Sequence, residues 1–261
     1  MARKVKLGQH FLKSKAALGS ILAASHVNEG SVVLEIGPGK GVLTSALLLS
    51  GARVTAIETD TELTALLKER FSEEITSGQL KLVNADIRNV SLDDYISEKY
   101  KVVANIPYYI TGEIIRLFLS AEIQPESMTI LVQKEVAQRI ARSKKESVLS
   151  LSVKAYGEPR YVKTVPARYF TPPPEVDSAI LYIGPISKKF FDTVSENTFF
   201  LVVKAGFANK RKKLLNNLAH IATKEKVSAL LSKLNMKEDV RAEDVPLEKW
   251  KHLAQEIEMK E

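Results

Sequence analysis

Between residues 30 and 135, short apolar runs alternate with longer stretches whose apolar positions recur at helical spacing. Val32–Ile36, Arg53–Glu58, Leu80–Asn84, Lys101–Asn105 and Met128–Gln133 are the runs short enough, and rich enough in branched residues, to be strands. Val42–Ser50, Thr61–Phe71 and Ile114–Leu119 lie between them and read as helices, with Leu63, Leu66 and Leu67 expected on one face of the second. A further helix is expected over Lys15–Ala24, behind a basic arm. Such alternation predicts an α/β fold, because parallel neighbours in a sheet need a crossover and a helix is the usual one. After residue 145 the pattern changes. Val148–Tyr156 reads as helix, and Tyr161–Val165 and Ser178–Ile183 read as strands flanking the loop Phe170-Thr-Pro-Pro-Pro-Glu175. Gly184-Pro185 punctuates the chain, and helical spacing dominates beyond it over 187–206, 211–222, 224–234 and 247–258. The expected organisation is an α/β domain over 1–184 and a small helical domain over 185–261.

Composition narrows the class. The 261 residues are 45% hydrophobic and 26% charged, ordinary for a globular protein. There is no cysteine, which excludes disulfides, cysteine-held zinc and iron–sulfur clusters and fits a reducing compartment. His10, His26, His220 and His252 show no metal-ligand spacing, so no metal is expected. No apolar run of about 18 residues occurs, and no apolar stretch follows the basic start, so a cytoplasmic, membrane-free protein is expected. The net charge of +7 is concentrated. Residues 1–15 carry Arg3, Lys4, Lys6, Lys13 and Lys15 with no acid, and residues 204–213 carry Lys204, Lys210, Arg211, Lys212 and Lys213, again with no acid. Either cluster alone suits a solvated face; two on one basic chain point to phosphate binding.

The first predicted strand runs into Glu35-Ile-Gly37-Pro-Gly39-Lys-Gly41, with a helix behind it. Glycines let a ligand approach the backbone, and the helix start offers free N–H groups. A dinucleotide fingerprint needs a third glycine at position 42, which is Val42, so that reading fails. Glu58 ends the second strand, where it can accept both hydroxyls of a ribose or stand as a solvated acid. Asp86 follows the third, where it can accept from an adenine amine or cap a turn. Asn105-Ile106-Pro107-Tyr108 closes the fourth. An Asn oxygen and a neighbouring carbonyl can accept both hydrogens of an exocyclic amine, and Tyr108 can stack on the ring that bears it.

With these residues in order, the chain resembles the rRNA adenine-N6,N6-dimethyltransferase family over roughly residues 4 to 220. Leu7-Gly-Gln-His-Phe-Leu12, the E-x-G-x-G-x-G turn, Glu58, Asp86, Asn105–Tyr108, Val132–Ala137 and Phe170–Ser178 carry the resemblance. Gly8-Gln9, the Phe170 loop and Phe207–Asn216 are similar to the small-subunit branch. The resemblance implies a Rossmann-like, S-adenosylmethionine-dependent methyltransferase sheet, with His10, Leu12, Glu35, Gly37, Gly39, Gly41, Glu58, Asp86 and Asn105 around the cofactor. It implies dimethylation of two adjacent adenosines in the 3′-terminal hairpin loop of small-subunit rRNA, by a monomer acting on a pre-assembled subunit. Asn105, Ile106, Pro107 and Tyr108 would hold the flipped adenine, and Phe170 is either its second stacking face or a core aromatic. Arg3, Lys4, Lys6 and Lys210–Lys213 would hold phosphates. His10 and Tyr109 depart from the family's pattern, each standing where Asn is frequent. The competing readings are a large-subunit rRNA methyltransferase, a catalytically silent rRNA-binding assembly factor and, weakly, an NAD-dependent oxidoreductase.

Overall fold

In the computed structural model residues 9–96 and 98–258 are described. In chain order the elements are β1 (Phe11–Leu12), α1 (Lys15–Ser25), β2 (Val32–Ile36), α2 (Val42–Leu49), β3 (Arg53–Glu58), α3 (Thr61–Arg70), α4 (Ser72–Thr76), β4 (Leu80–Asn84), β5 (Lys101–Asn105) and α5 (Thr111–Leu119). They continue with β6 (Ser127–Gln133), α6 (Lys134–Ala141), α7 (Val148–Tyr156), β7 (Pro159–Val165), β8 (Phe170–Thr171), β9 (Ser178–Ile183), α8 (Glu196–Gly206), α9 (Leu214–Leu218), α10 (Lys224–Lys233) and α11 (Leu247–Glu258).

Seven strands form one sheet in the order β4-β3-β2-β5-β6-β9-β7. The first five are parallel, and β9 and β7 add antiparallel at one edge. The strands at the centre are buried on both faces, which is why Val102, Val103, Ala104, Met128 and Ile130 read as unbroken apolar runs. From β2 the chain winds outward through β3 and β4, then returns to start β5 on the other side of β2. Ligands of doubly wound sheets bind at such a switch point, beyond the carboxyl ends of the strands. The fold is thus the expected α/β sheet, with helices gathered toward the C-terminus.

The chain forms two units, one of residues 1–137 and 158–186 and the other of residues 138–157 and 187–261. The first contains the whole sheet. In the second, α8 and α11 pack together, Phe207 stacks on Trp250 with centroids 5.6 Å apart, and Tyr156 joins Phe190, Phe191, Phe199 and Phe200 in an aromatic cluster.

Several local expectations change. On α3 the buried positions are Thr64 and Leu67, while Leu66 is 46% exposed, so the three leucines do not share one buried face. The expected helix over 187–206 is broken: a 3-10 turn spans Lys189–Thr193, Val194 is extended, and α8 restarts where Ser195 Oγ caps Thr198 N. The expected helix over 211–222 shrinks to α9, because Lys210–Lys213 form an exposed turn of like charges rather than a helical one. The strands β1 and β8, two residues each, are too short to carry periodicity; α6 is a further helix not among those expected, although Val136, Ala137 and Ile140 recur at helical spacing.

Candidate active site

A cavity of about 270 Å³ opens at the switch point, lined from the ends of β2, β3 and β5, the segment after β4 and residues 9–12. Of the residues expected at a cofactor, His10, Leu12, Glu35, Gly37, Gly39, Glu58, Asp86 and Asn105 line it. Gly41 does not.

The glycine turn acts by shape rather than by donation. Gly37, Gly39 and Gly41 all have positive φ, at 64°, 58° and 76°, a region that disfavours any side chain. Their N–H groups are spent within the protein: Gly37 donates to Ile57 O at 2.9 Å, Gly39 to Glu58 Oε2 at 3.0 Å and Gly41 to Pro38 O at 2.9 Å. These three glycine donors are therefore taken, and what the turn itself gives a ligand is a wall without Cβ atoms. A methyl on Gly39 would lie 2.9 Å from the Phe11 ring, which covers the turn. A methyl on Gly41 would strike Phe71 and Leu67 at 2.6 and 2.7 Å, so this glycine is needed for the packing of α3 and not for a ligand.

Glu58 is 5% exposed, and its two oxygens accept from Gly39 N and Asp60 N at 3.0 and 2.9 Å. A carboxylate has about four lone-pair sites, so two remain for ligand hydroxyls while the group is held rigid. Glu35 is the opposite case. It is 1% exposed, and its carboxylate has no well-formed hydrogen bond; the hydroxyl and backbone N–H of Thr44 are the donors beside it. Burial pushes its pKa up to about 8; Thr44 pulls it the other way and the nearby charge of Glu58 pushes it up further. A buried, poorly satisfied acid in a cavity wall is a position that a cation would satisfy.

Asp86 caps the 3-10 turn Ile87–Asn89 through Arg88 N at 3.0 Å, as the capping alternative had it. It also holds the Arg88 guanidinium in a fork, with Oδ2 to Nη2 at 2.6 Å, and Arg88 keeps the Asp86 pKa low. Its oxygens are occupied by Arg88, a cavity residue that sequence reasoning missed because the pair sits on a short irregular turn.

β5 delivers Asn105 to the cavity, and Pro107 at φ −59° turns the chain into the 3-10 turn Tyr108–Ile110. Asn105 Nδ2 donates to the His10 carbonyl at 3.0 Å. A carbonyl can only accept, so this contact fixes the amide's orientation and leaves Oδ1 as an acceptor. His10 is fixed in turn: its Nδ1 lies 2.9 Å from Pro172 O and must carry the proton. The His10 ring also lies against Tyr108, centroids 5.9 Å apart and planes at 24°. Tyr108 is half-buried, its hydroxyl 2.5 Å from Ser178 Oγ, and burial raises its pKa and keeps the phenol neutral. Ile106 is buried in the wall behind it.

Phe170 belongs to the core. It is 1% exposed, pairs through β8 with Leu12 of β1, and packs in the cluster that includes Val165 and Ile180. It does not line the cavity, so the core alternative is the one observed. Lys210, Arg211, Lys212 and Lys213 are exposed on the turn before α9. That turn is tied down by Asn217, whose Nδ2 donates to Gly206 O and Asn209 O at 2.6 and 3.1 Å. Arg3, Lys4 and Lys6 lie outside the described residues. Among the described residues no helix is long and apolar enough to cross a membrane.

Residues 2–259 match the family model described as ribosomal RNA adenine dimethylase. The chain is 42% identical over 255 residues to the ribosomal RNA small subunit methyltransferase A of Dehalococcoides mccartyi (strain BAV1), covering 96% of this chain and 87% of the relative. Two solved structures share the fold at a TM-score of 0.77 and 25% identity. The dimethyladenosine transferase from Plasmodium falciparum covers 94% of this chain and 96% of its own, and the 23S rRNA methyltransferase ErmE covers 95% and 100%.

Proposed function

Because the chain belongs to the ribosomal RNA adenine dimethylase family, we propose that it dimethylates the N6 amines of two adjacent adenosines in the 3′-terminal hairpin loop of small-subunit rRNA, as a step of subunit biogenesis. It is an S-adenosylmethionine-dependent adenine methyltransferase. The observation that carries the reading is Asn105, locked by His10 with its acceptor oxygen left over, in the cavity that also holds the buried Glu35.

The cavity suits the cofactor. Its methionine end carries positive charge, which Glu35 would balance; its ribose has two hydroxyls, which the free lone pairs of Glu58 would accept; and the wall of Gly37 and Gly39 admits close approach. When bound, S-adenosylmethionine supplies an electrophilic methyl group.

This chain's residues prepare the other reactant. An adenine amine is a poor nucleophile because its lone pair is delocalised into the ring. Asn105 Oδ1 and the Ile106 carbonyl accept its two N–H groups and favour the pyramidal nitrogen of the transition state, a gain of positioning and electrostatics. Tyr108, one face already against His10, offers its ring to the flipped base. The alkylated nitrogen is acidic and releases its proton without a dedicated base. After the first methyl one N–H is gone, and the second transfer leans on Tyr108. Lys210–Lys213 and the N-terminal arm hold rRNA phosphates. The protein works as a cytoplasmic monomer on a pre-assembled small subunit.

The test is direct. The protein is incubated with methyl-labelled S-adenosylmethionine and unmethylated small or large ribosomal subunits, and the label is mapped by nuclease digestion and mass spectrometry. Dimethyladenosine in the small-subunit hairpin is expected. Label only in large subunits would overturn the assignment.

A further inference from the structure

Tyr108 and Tyr109 are consecutive, yet they are used in opposite senses. A 3-10 turn advances by about 120° per residue, so neighbours on it point apart. Tyr108 is turned inward and tied to Ser178. Tyr109, the next residue of the Tyr108–Ile110 turn, is 73% exposed and still lines the cavity. Single exposed apolar residues are common and need no explanation. Tyr109 differs from the rest: among the described residues it is the one aromatic among the exposed large hydrophobics, and it stands at the rim of the reaction cavity. Its base is rigid. Pro107 precedes the turn, Ile110 N closes it on Pro107 O at 3.2 Å, and Tyr108 is pinned. Arg88, a second rim residue, lies within electrostatic reach of it.

We propose that Tyr109 is a positioning residue for the RNA, stacking on the base next to the adenosine held at Asn105. The inference rests on the reading of adjacent adenosines in a loop. When one of the pair enters the cavity its neighbour loses a stacking partner on that side, and an aromatic ring fixed at the rim replaces it. Base–aromatic stacking is indifferent to base identity, so the ring accepts whatever base stands on its side of the adenosine in the cavity. Tyr109 thereby recognises a planar base in single-stranded RNA at the rim, while the Asn105 amide reads the amine within.

The test is a double-substitution cycle on the full-length protein with small ribosomal subunits whose rRNA is intact or carries an abasic residue beside the target. For Tyr109→Ala we expect the KM for intact subunits to rise roughly tenfold with cofactor affinity unchanged. Tyr109→Phe and Tyr109→Trp should restore the wild-type KM. Wild-type protein should lose a similar factor on the abasic substrate, on which Tyr109→Ala should lose nothing more. An unchanged KM for Tyr109→Ala, or losses that multiply independently on the abasic substrate, would overturn the inference and leave the proposed function standing. Wild-type protein that puts no methyl into the small-subunit hairpin would overturn both.

Discussion

The role proposed for Asn105 depends on a contact at the nitrogen side of its amide. With Nδ2 committed to His10 O, Asn105→Asp would set a carboxylate oxygen against a carbonyl, and Asn105→Ala would remove the acceptor outright. Loss of one such group costs about 10²–10³ in rate in comparable sites. Single-turnover methylation by Asn105→Ala should fall by that order, with subunit binding in a filter assay little changed. Glu35 shows a different residue-scale effect. The folded protein holds its proton up to about pH 8, whereas an unfolded glutamate releases it near 4.5. Between those values the unfolded chain binds fewer protons than the native one, so stability falls as pH rises through this window. Denaturant midpoints of the protein without ligand should therefore decline from pH 5 to pH 8. Glu35→Gln should remove that component and be the more stable form at pH 8, while its affinity for S-adenosylmethionine drops. A flat profile in the unsubstituted protein would contradict the assignment.

At the scale of elements, the site depends on how short segments are packed. The two glycines at the start of α2 separate cleanly. Gly41→Ala forces a side chain at φ 76° into Leu67 and Phe71, so α3 must shift, and a loss of about 1–3 kcal/mol in unfolding free energy is expected. Gly39→Ala pushes on Phe11 at the cavity and should weaken cofactor binding more than folding. Thermal melts beside calorimetric titration with S-adenosylhomocysteine tell the two apart. The sequence made the parallel strands and the order of Gly37, Glu58, Asp86 and Asn105 readable, because branched apolar runs and strand-end polar residues are local signals. It hid what depends on partners distant in sequence. Tyr108 to Ser178, His10 to Pro172 and the two-residue pairing of β1 with β8 leave no periodic trace. The same reason explains Phe170 and Gly41. Burial of the first under β1 and the fit of the second against α3 are tertiary facts, and the motif looks identical without them.

For the whole molecule, the basic character is distributed with a purpose. Lys210–Lys213 are exposed, while the turn that bears them is anchored by Asn217 and Gly206, the latter packed so closely on Trp250 that a Cβ would lie 2.2 Å from its ring. Charge reversal is unnecessary to test their role. Replacing the four by Gln should leave the melting temperature within about 2 °C, since solvated charges contribute little. It should weaken subunit binding at about 50 mM salt and lower the slope of log K against log salt by about 0.7 for each phosphate no longer neutralised. An unaltered slope would assign these cations to solubility alone. The cavity has its own dependence on contacts far apart in the sequence. It is closed by His10 on Pro172, Asn105 on His10 and Tyr108 on Ser178, partners 162, 95 and 70 residues apart. During synthesis Asn105 and Tyr108 emerge well before Pro172 and Ser178 exist. A nascent chain therefore has Asn105 and the His10 carbonyl that orients it, but lacks the contacts that fix the His10 and Tyr108 rings, so the walls of the cavity are set only after its floor is made.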